Sequence, residues 1–465
     1  MDNIVFICVL VYVAISMVVG MVLGRNSKTV RSFFISKENL PLWITVPFLL
    51  ACYFAGSYTA GNAAGGYTGG ISTAFPILMR FPALIICVWL VGMFRRYAAN
   101  GKLTIAEMFE DRFDTKSREM LGVLNMLLYA AFYSAQPSVI ASIISPMVGM
   151  DFNTITWIVA TIFAVMALAG LTGLAWMNII HGVFMVFGLV VTAIFAIRDV
   201  GGFSGMVAGV DSSYFDISSM GFWNILGYTI SMPVVLFAAN EIPSSVIGSK
   251  SPSVARKTLW IVGLAFIPIT LLTNFIGIAA KIALPNLEQP ATALYAMAAK
   301  LGPFFTLITC LAVVGAVFSS APPYLFFGAS GFTRSLYLRF RPKASDKEQI
   351  GITRILCVIL AYGCNYLCLQ SPAFLNVLFS FIQIQAIAGV VFIAGIIWKR
   401  VNGTAAFWAM VVGGACSAVW YFIGSPFGIQ PFWLSFVPGV TILVILTLCS
   451  KEPVSKGYLS MHGKL

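Results

Sequence analysis

The sequence predicts an all-α polytopic membrane protein, and three observations carry that prediction. Hydrophobic residues fill 59% of the 465 positions and charged residues only 9%, a balance too apolar for a water-soluble globule. Thirteen apolar stretches of about 19 residues or more, at 4–24, 42–61, 72–94, 120–149, 153–171, 174–197, 222–247, 258–283, 302–333, 352–370, 373–398, 404–424 and 431–450, are each long enough to cross a hydrocarbon core about 30 Å thick. Runs such as FVPGVTILVILTLC do not alternate apolar with polar residues as barrel strands do, so helices cross the bilayer.

The first stretch (4–24) has no basic leader and no small-residue cleavage site, so it reads as a retained helix and not a signal peptide. From there the loops alternate in charge. Of the 28 Lys and Arg residues, 24 fall in one set of alternate loops, while Arg198, Lys281 and Lys300 occupy the other and Arg80 lies inside a span. The positive-inside rule then places the amino terminus outside and the carboxyl terminus in the cytoplasm of a cell membrane. The net charge of +12 is thereby a topology signal, with no nucleic-acid partner implied. All nine cysteines lie in or at the ends of apolar spans without metal-ligand spacing, and read as packing residues. The sequon-like Asn402-Gly403-Thr404 falls in an inside loop, away from glycosylation. The largest polar pieces, 95–118 and the region near 338–349, read as structural connections, and no obligate protein partner is inferred.

Two spans look interrupted. LLACYFAGSYTAGNAAGGYTGG (49–70) carries six glycines, each costing up to about 1 kcal/mol in a helix, which predicts irregular backbone toward its outer end. YTISMPVVLFAANEIP (228–243) holds Pro233 and Pro243 in one crossing. These are the second and seventh spans. Five-helix units starting at each would run in opposite directions, the inverted-repeat plan of many secondary transporters. The expected organisation is one transmembrane domain over 1–465: an extra helix (4–24), a first repeat (42–197), a second repeat (222–398) and two C-terminal helices (404–450).

Within 302–333, GAVFSSAPPYLF (315–326) places two hydroxyls before two prolines. Pro322 and Pro323 cannot donate to the carbonyls of Phe318 and Ser319, which frees oxygen beside the hydroxyls of Ser319 and Ser320. Neutral oxygens at membrane depth suit a hard monovalent cation. The alternative is that the hydroxyls bond back to the preceding turn and the prolines only kink the helix.

AVVGAVFSSAPPYLFFGASGFTRSLY (312–337) resembles the signature helix of the sodium/solute symporter family, and three further pieces agree in order: FFISKENLPLWITVPFLLACYFAG, NGKLTIAEMFEDRF and GLTGLAWMNIIHG. The resemblance covers roughly 30–400, with the glycine-rich 55–70 most similar to the choline-transporting branch. It implies a LeuT-type five-plus-five fold and sodium-coupled symport by alternating access. It also implies a sodium site made by the carbonyls of Ala51, Phe54 and Ala316 with the hydroxyls of Ser319 and Ser320. A second sodium site known in some members would need ligands where this chain has Asn178, Pro322 and Pro323, so one sodium per solute is expected. One charge crossing about 100 mV gains roughly 2.3 kcal/mol and a tenfold gradient adds about 1.4, enough for accumulation of several hundred-fold.

Arg80 and Glu241 are the charged residues inside spans. Arg80 either holds a solute carboxylate or snorkels and pairs within the bundle. Glu241, near an inner end, is expected at the inner gate or paired with an inside Lys or Arg. Tyr53, Ser57, Tyr58, Tyr133, Gln136 and Phe237 are the other candidate solute contacts. Their aromatic rings would also suit a quaternary ammonium, which Arg80 would repel. His181 reads as a hydrogen-bonding core residue ahead of a proton relay. No phosphate loop or paired catalytic carboxylates support an enzyme. A sodium-coupled symporter of a small polar solute is therefore expected, against a facilitator or a solute sensor on the same scaffold.

Overall fold

Backbone that crosses a membrane must bond to itself, and the chain meets that demand with helices. In the computed structural model, residues 2–25, 28–36, 39–370, 372–450, 454, 457 and 458 are described, and the side chains of Ser57 and of 372–381 lie outside that set. The elements that position the site are α1 (Asp2–Gly24), α2 (Leu42–Tyr53), α3 (Gly56–Gly69), α4 (Phe81–Ala99), α5 (Ile105–Arg112), α6 (Thr115–Ser134), α7 (Gly170–Asp199), α8 (Phe222–Phe237), α9 (Glu241–Gly248), α10 (Pro252–Ala283), α11 (Pro303–Phe332) and α12 (Asp346–Gln370). Gly403–Phe422 and Pro431–Cys449 form a packed C-terminal pair.

Among the described residues, nine helices are long and apolar enough to cross a membrane, or ten when the pair α8 and α9, bent by 44°, counts as one span. Leu42–Tyr53, Phe152–Ala167 and Ile384–Ile397 are shorter apolar helices at the remaining places where the sequence predicts a crossing. The shortfall against thirteen has a physical cause in α2, which stops halfway because the span is broken.

The positions of both breaks differ from the sequence expectation. The glycine-rich segment is a continuous helix, α3, and the break falls before it at Phe54 and Ala55. The glycines serve close approach instead. A Cβ at Gly66 would overlap the Asn274 carbonyl of α10, and one at Gly277 would overlap the Ala63 carbonyl of α3, so only glycine lets these two helices touch along their backbones. In the second broken span Pro233 lies inside α8, and the break falls at 238–240. Pro243 sits in the first turn of α9, where its missing N–H is not required, so the helix restarts there instead of running through.

Leu40, just before α2, and Ser249, just after α9, meet in an isolated parallel bridge: Leu40 N–H donates to Gly248 O (3.0 Å) and Lys250 N–H to Leu40 O (2.8 Å). The start of the first broken span and the end of the second are thus tied together. α11 runs through the centre, with Leu311 through Gly331 all buried, and packs on α6 and α7. Pro322 and Pro323 lie within this 30-residue helix without ending it.

Gly277→Ala is expected to destabilise the protein by about 1–3 kcal/mol, since α3 and α10 must separate. Gly92→Ala, where no atom lies within 4 Å of the added carbon, is the neutral control. Thermal unfolding of the two purified variants checks the difference.

Candidate functional site

A helix that stops inside a bilayer leaves its last carbonyls without their usual donors. After Tyr53 the backbone turns away at Phe54 (φ −98°, ψ 62°) and Ala55 (φ −67°, ψ 171°). The partners come from α11. Ser319 Oγ lies 3.3 Å from Ala51 O, and the Tyr324 hydroxyl donates to Cys52 O at 2.8 Å. Gly56 stands at this crossing, where a Cβ would lie 2.6 Å from Val317, and its N–H donates to Gln136 Oε1 (3.3 Å).

Ser319 Oγ is also 2.9 Å from Ala316 O, while Ser320 Oγ lies 2.8 Å from Ala316 O and 3.2 Å from Val317 O. Ala51, Ala316, Ser319 and Ser320 therefore share one hydrogen-bonded cluster, fully buried. The serines bond back to the preceding turn, and Ser319 also reaches across to the broken span. Phe54, the fifth expected member, forms the break itself, and its ring packs on Phe266 with centroids 4.7 Å apart.

Of the two carbonyls that the prolines free, that of Ser319 does not join the cluster. Asn178 Nδ2 of α7 donates to it at 3.0 Å, because an amide donor is the nearest available partner for the exposed oxygen. His181, one turn further along, has its Nδ1 joined to the hydroxyl of Tyr12 and so ties α1 to the core.

The solute candidates divide. Arg80 is 4% exposed, and its guanidinium stacks 4.3 Å from the centroid of Tyr58 and 5.8 Å from that of Phe132. It makes no hydrogen bond or ion pair among the described residues, so it neither snorkels nor pairs within the bundle. Tyr53 is buried against Phe266 and its hydroxyl has no partner. Phe237 closes α8 at the second break and is buried. Gln136 is occupied by Gly56 and by Phe132 O, to which its Nε2 donates at 2.9 Å. Tyr133 turns away: its hydroxyl donates to Ala361 O on α12 (3.3 Å) and its ring packs on Phe163. Ser57 lies on α3 with its side chain outside the described residues.

Glu241 departs from expectation as well. It is buried at the start of α9 without an ion pair to Lys or Arg among the described residues, and the Tyr129 hydroxyl donates to its Oε2 at 2.7 Å. Asn240 N–H donates in turn to the Tyr129 oxygen (2.7 Å), and Asn240 Oδ1 accepts from Ile105 N–H at the start of α5 (3.1 Å). Glu107, by contrast, is ion-paired, held by Arg334 at 2.5 Å. Sequence reasoning missed Tyr129, Phe132, Asn240 and Tyr324, which look like any other aromatic or polar residue of a membrane helix.

The profile of the sodium:solute symporter family matches residues 33–413. The chain belongs to the sodium:solute symporter family. Its relatives include the sodium/proline symporter of Escherichia coli K12, 24% identical with 95% of this chain and 92% of the relative covered, and the sodium/glucose cotransporter of Vibrio parahaemolyticus, 25% identical with 85% and 81% covered. Among solved structures, a substrate-bound, outward-open Na+-coupled sialic acid symporter superposes with a TM-score of 0.85 at 17% identity, covering 97% of this chain and 98% of that one. Mhp1, a nucleobase-cation-symport-1 family transporter, superposes with a TM-score of 0.55 at 16% identity, covering 95% and 99%. The fold is the LeuT-type inverted-repeat architecture. This symporter is a multi-pass membrane protein that moves a small solute with sodium as its coupling ion.

The orientation of Tyr133 gives a direct check. Tyr133→Phe is expected to leave solute half-saturation within about twofold of the wild type, and to lower thermal stability by about 1 kcal/mol for the lost hydrogen bond. Uptake kinetics and unfolding of the same variant measure both.

Proposed function

We propose that this symporter takes up a small carboxylate-bearing solute with one sodium ion per solute, and that Arg80 binds the carboxylate. The observation that carries the reading is a buried guanidinium inside a membrane bundle with no counter-ion among the described residues. A buried charge is costly unless paired and hydrogen-bonded. Stacking on Tyr58 fixes the plane of the guanidinium and leaves its N–H edges free for two parallel hydrogen bonds to a carboxylate. Tyr53, with its unpartnered hydroxyl, and Phe237 stand at the two breaks as further contacts. A quaternary ammonium fits poorly, because Arg80 already occupies the face of Tyr58 and repels a second cation there.

Sodium enters the serine cluster as the Ser319 and Ser320 hydroxyls, still protonated, turn their protons away, with the carbonyls of Ala51, Phe54 and Ala316 and the hydroxyl oxygens of Ser319 and Ser320 as ligands. Single-ion coupling rests on three positions. Asn178 offers an amide already bonded to the Ser319 carbonyl, and Pro322 and Pro323 have no hydroxyl to give. The basic loops put the amino terminus outside and the carboxyl terminus in the cytoplasm.

Two measurements test the reading. Ser319→Ala is expected to raise half-saturating sodium at least tenfold, and uptake into proteoliposomes driven by sodium is expected to fail when potassium replaces it. Arg80→Gln is expected to lower solute affinity at least a hundredfold while leaving the sodium-induced rise in unfolding temperature in place. Two sodium ions per solute, or carboxylate uptake unchanged by Arg80→Gln, would overturn it.

A further inference from the structure

We infer that Glu241 is a second recognition group of the same site, taking the ammonium of a zwitterionic, amino-acid-like solute whose carboxylate Arg80 holds. The inference rests on the Arg80 reading above and adds the substrate class to it.

Glu241 opens α9 at the second break and is 1% exposed. One bond orients it. Because Asn240 N–H already donates to the Tyr129 oxygen, the Tyr129 proton is committed to Glu241 Oε2, and the carboxylate is held as an acceptor. Arg80 and Glu241 form no ion pair with each other. Arg80 lies against the rings of Tyr58 and Phe132, Glu241 takes the hydroxyl of Tyr129, and the Phe132 and Tyr129 rings are neighbours with centroids 6.4 Å apart. Tyr324 packs 5.2 Å from Phe132 and 6.2 Å from Tyr129, so the guanidinium and the carboxylate stand at separate places along one aromatic wall.

That arrangement discriminates by charge. A monocarboxylate satisfies Arg80 and leaves Glu241 buried without a counter-ion; an organic cation does the reverse. A solute carrying both an ammonium and a carboxylate satisfies each and leaves no net charge in the loaded solute site. An unpaired charge in a low-dielectric site weakens binding far more than a missing apolar contact does. Tyr129 is a positioning residue here, since it touches the carboxylate and not the solute.

The test uses the full-length protein in detergent with sodium present, and reads ligand affinity by thermal shift. The probes are the common L-amino acids, their N-acetyl derivatives and the matching des-amino carboxylates. At least one amino acid is expected to bind tenfold or more tighter than both of its analogues. In Glu241→Gln that preference is expected to shrink below twofold through loss of amino-acid affinity, while the des-amino carboxylate binds as before and the sodium-induced shift persists. Tyr129→Phe is expected to reduce the same preference partway, with the carboxylate again unaffected.

Equal binding of an amino acid and its des-amino analogue by the wild type, or a preference that survives in Glu241→Gln, would overturn the role of Glu241 and leave Arg80 untouched. A Glu241→Gln protein whose sodium requirement changes while its preference does not would assign Glu241 to the ion and also overturn the inference. Failure of every carboxylate probe to bind the wild type would instead sink the Arg80 reading, and this inference with it.

Discussion

Each carbonyl oxygen in the interior of a bilayer needs a donor or a cation, and an unbroken helix supplies the donor automatically. At Phe54 that supply stops, and the rest of the site follows from how the orphaned oxygens are met. Ser319 and Tyr324 cross from α11 to take Ala51 O and Cys52 O, which fixes where α11 must lie and which of its faces points inward. The cluster of Ala51, Ala316, Ser319 and Ser320 is satisfied but frugal, since two hydroxyl protons serve three carbonyls. On the sodium reading proposed above, these hydrogen bonds hold the cluster together without an ion and are exchanged for coordination when the hydroxyl protons turn away from the carbonyls.

The second break solves the same problem with charge. Glu241, Tyr129 and Asn240 close a short chain in which each donor has one acceptor, and the loop helix α5 hangs from its end through Ile105 N–H and Asn240 Oδ1. The capping box formed by Thr104 and Glu107 at the head of α5 uses the same carboxylate that Arg334 holds. This loop is thus anchored on one side to the break and on the other to the end of α11.

How much of this was legible depended on whether a residue's role is local. The all-helical class, the place of each crossing and the special character of Ser319 and Ser320 follow from runs of apolar residues and from hydroxyls set beside prolines. The breaks were legible only as to span. Glycines in α3 look like helix breakers in isolation, yet Gly66 and Gly277 answer to a neighbouring backbone more than 200 positions away in the chain, which no local pattern records. The prolines of the second span mark where a helix restarts, not where the previous one ends. Tyr133 was a reasonable choice beside Gln136, but a helical residue points one way, and the turn of α6 that carries Tyr129 and Phe132 toward α11 carries Tyr133 toward α12. Arg80 and Glu241 were visible as charges; that neither has a counter-ion among the described residues required coordinates.

That last fact also explains why the two charges are not simply joined. An Arg80–Glu241 ion pair would satisfy both groups permanently. Each is instead compensated separately and only in part, by the Tyr58 and Phe132 rings for the guanidinium and by one hydrogen bond from Tyr129 for the carboxylate. On the reading proposed above, that incomplete solvation of two fixed groups is what a solute carrying both charges would relieve.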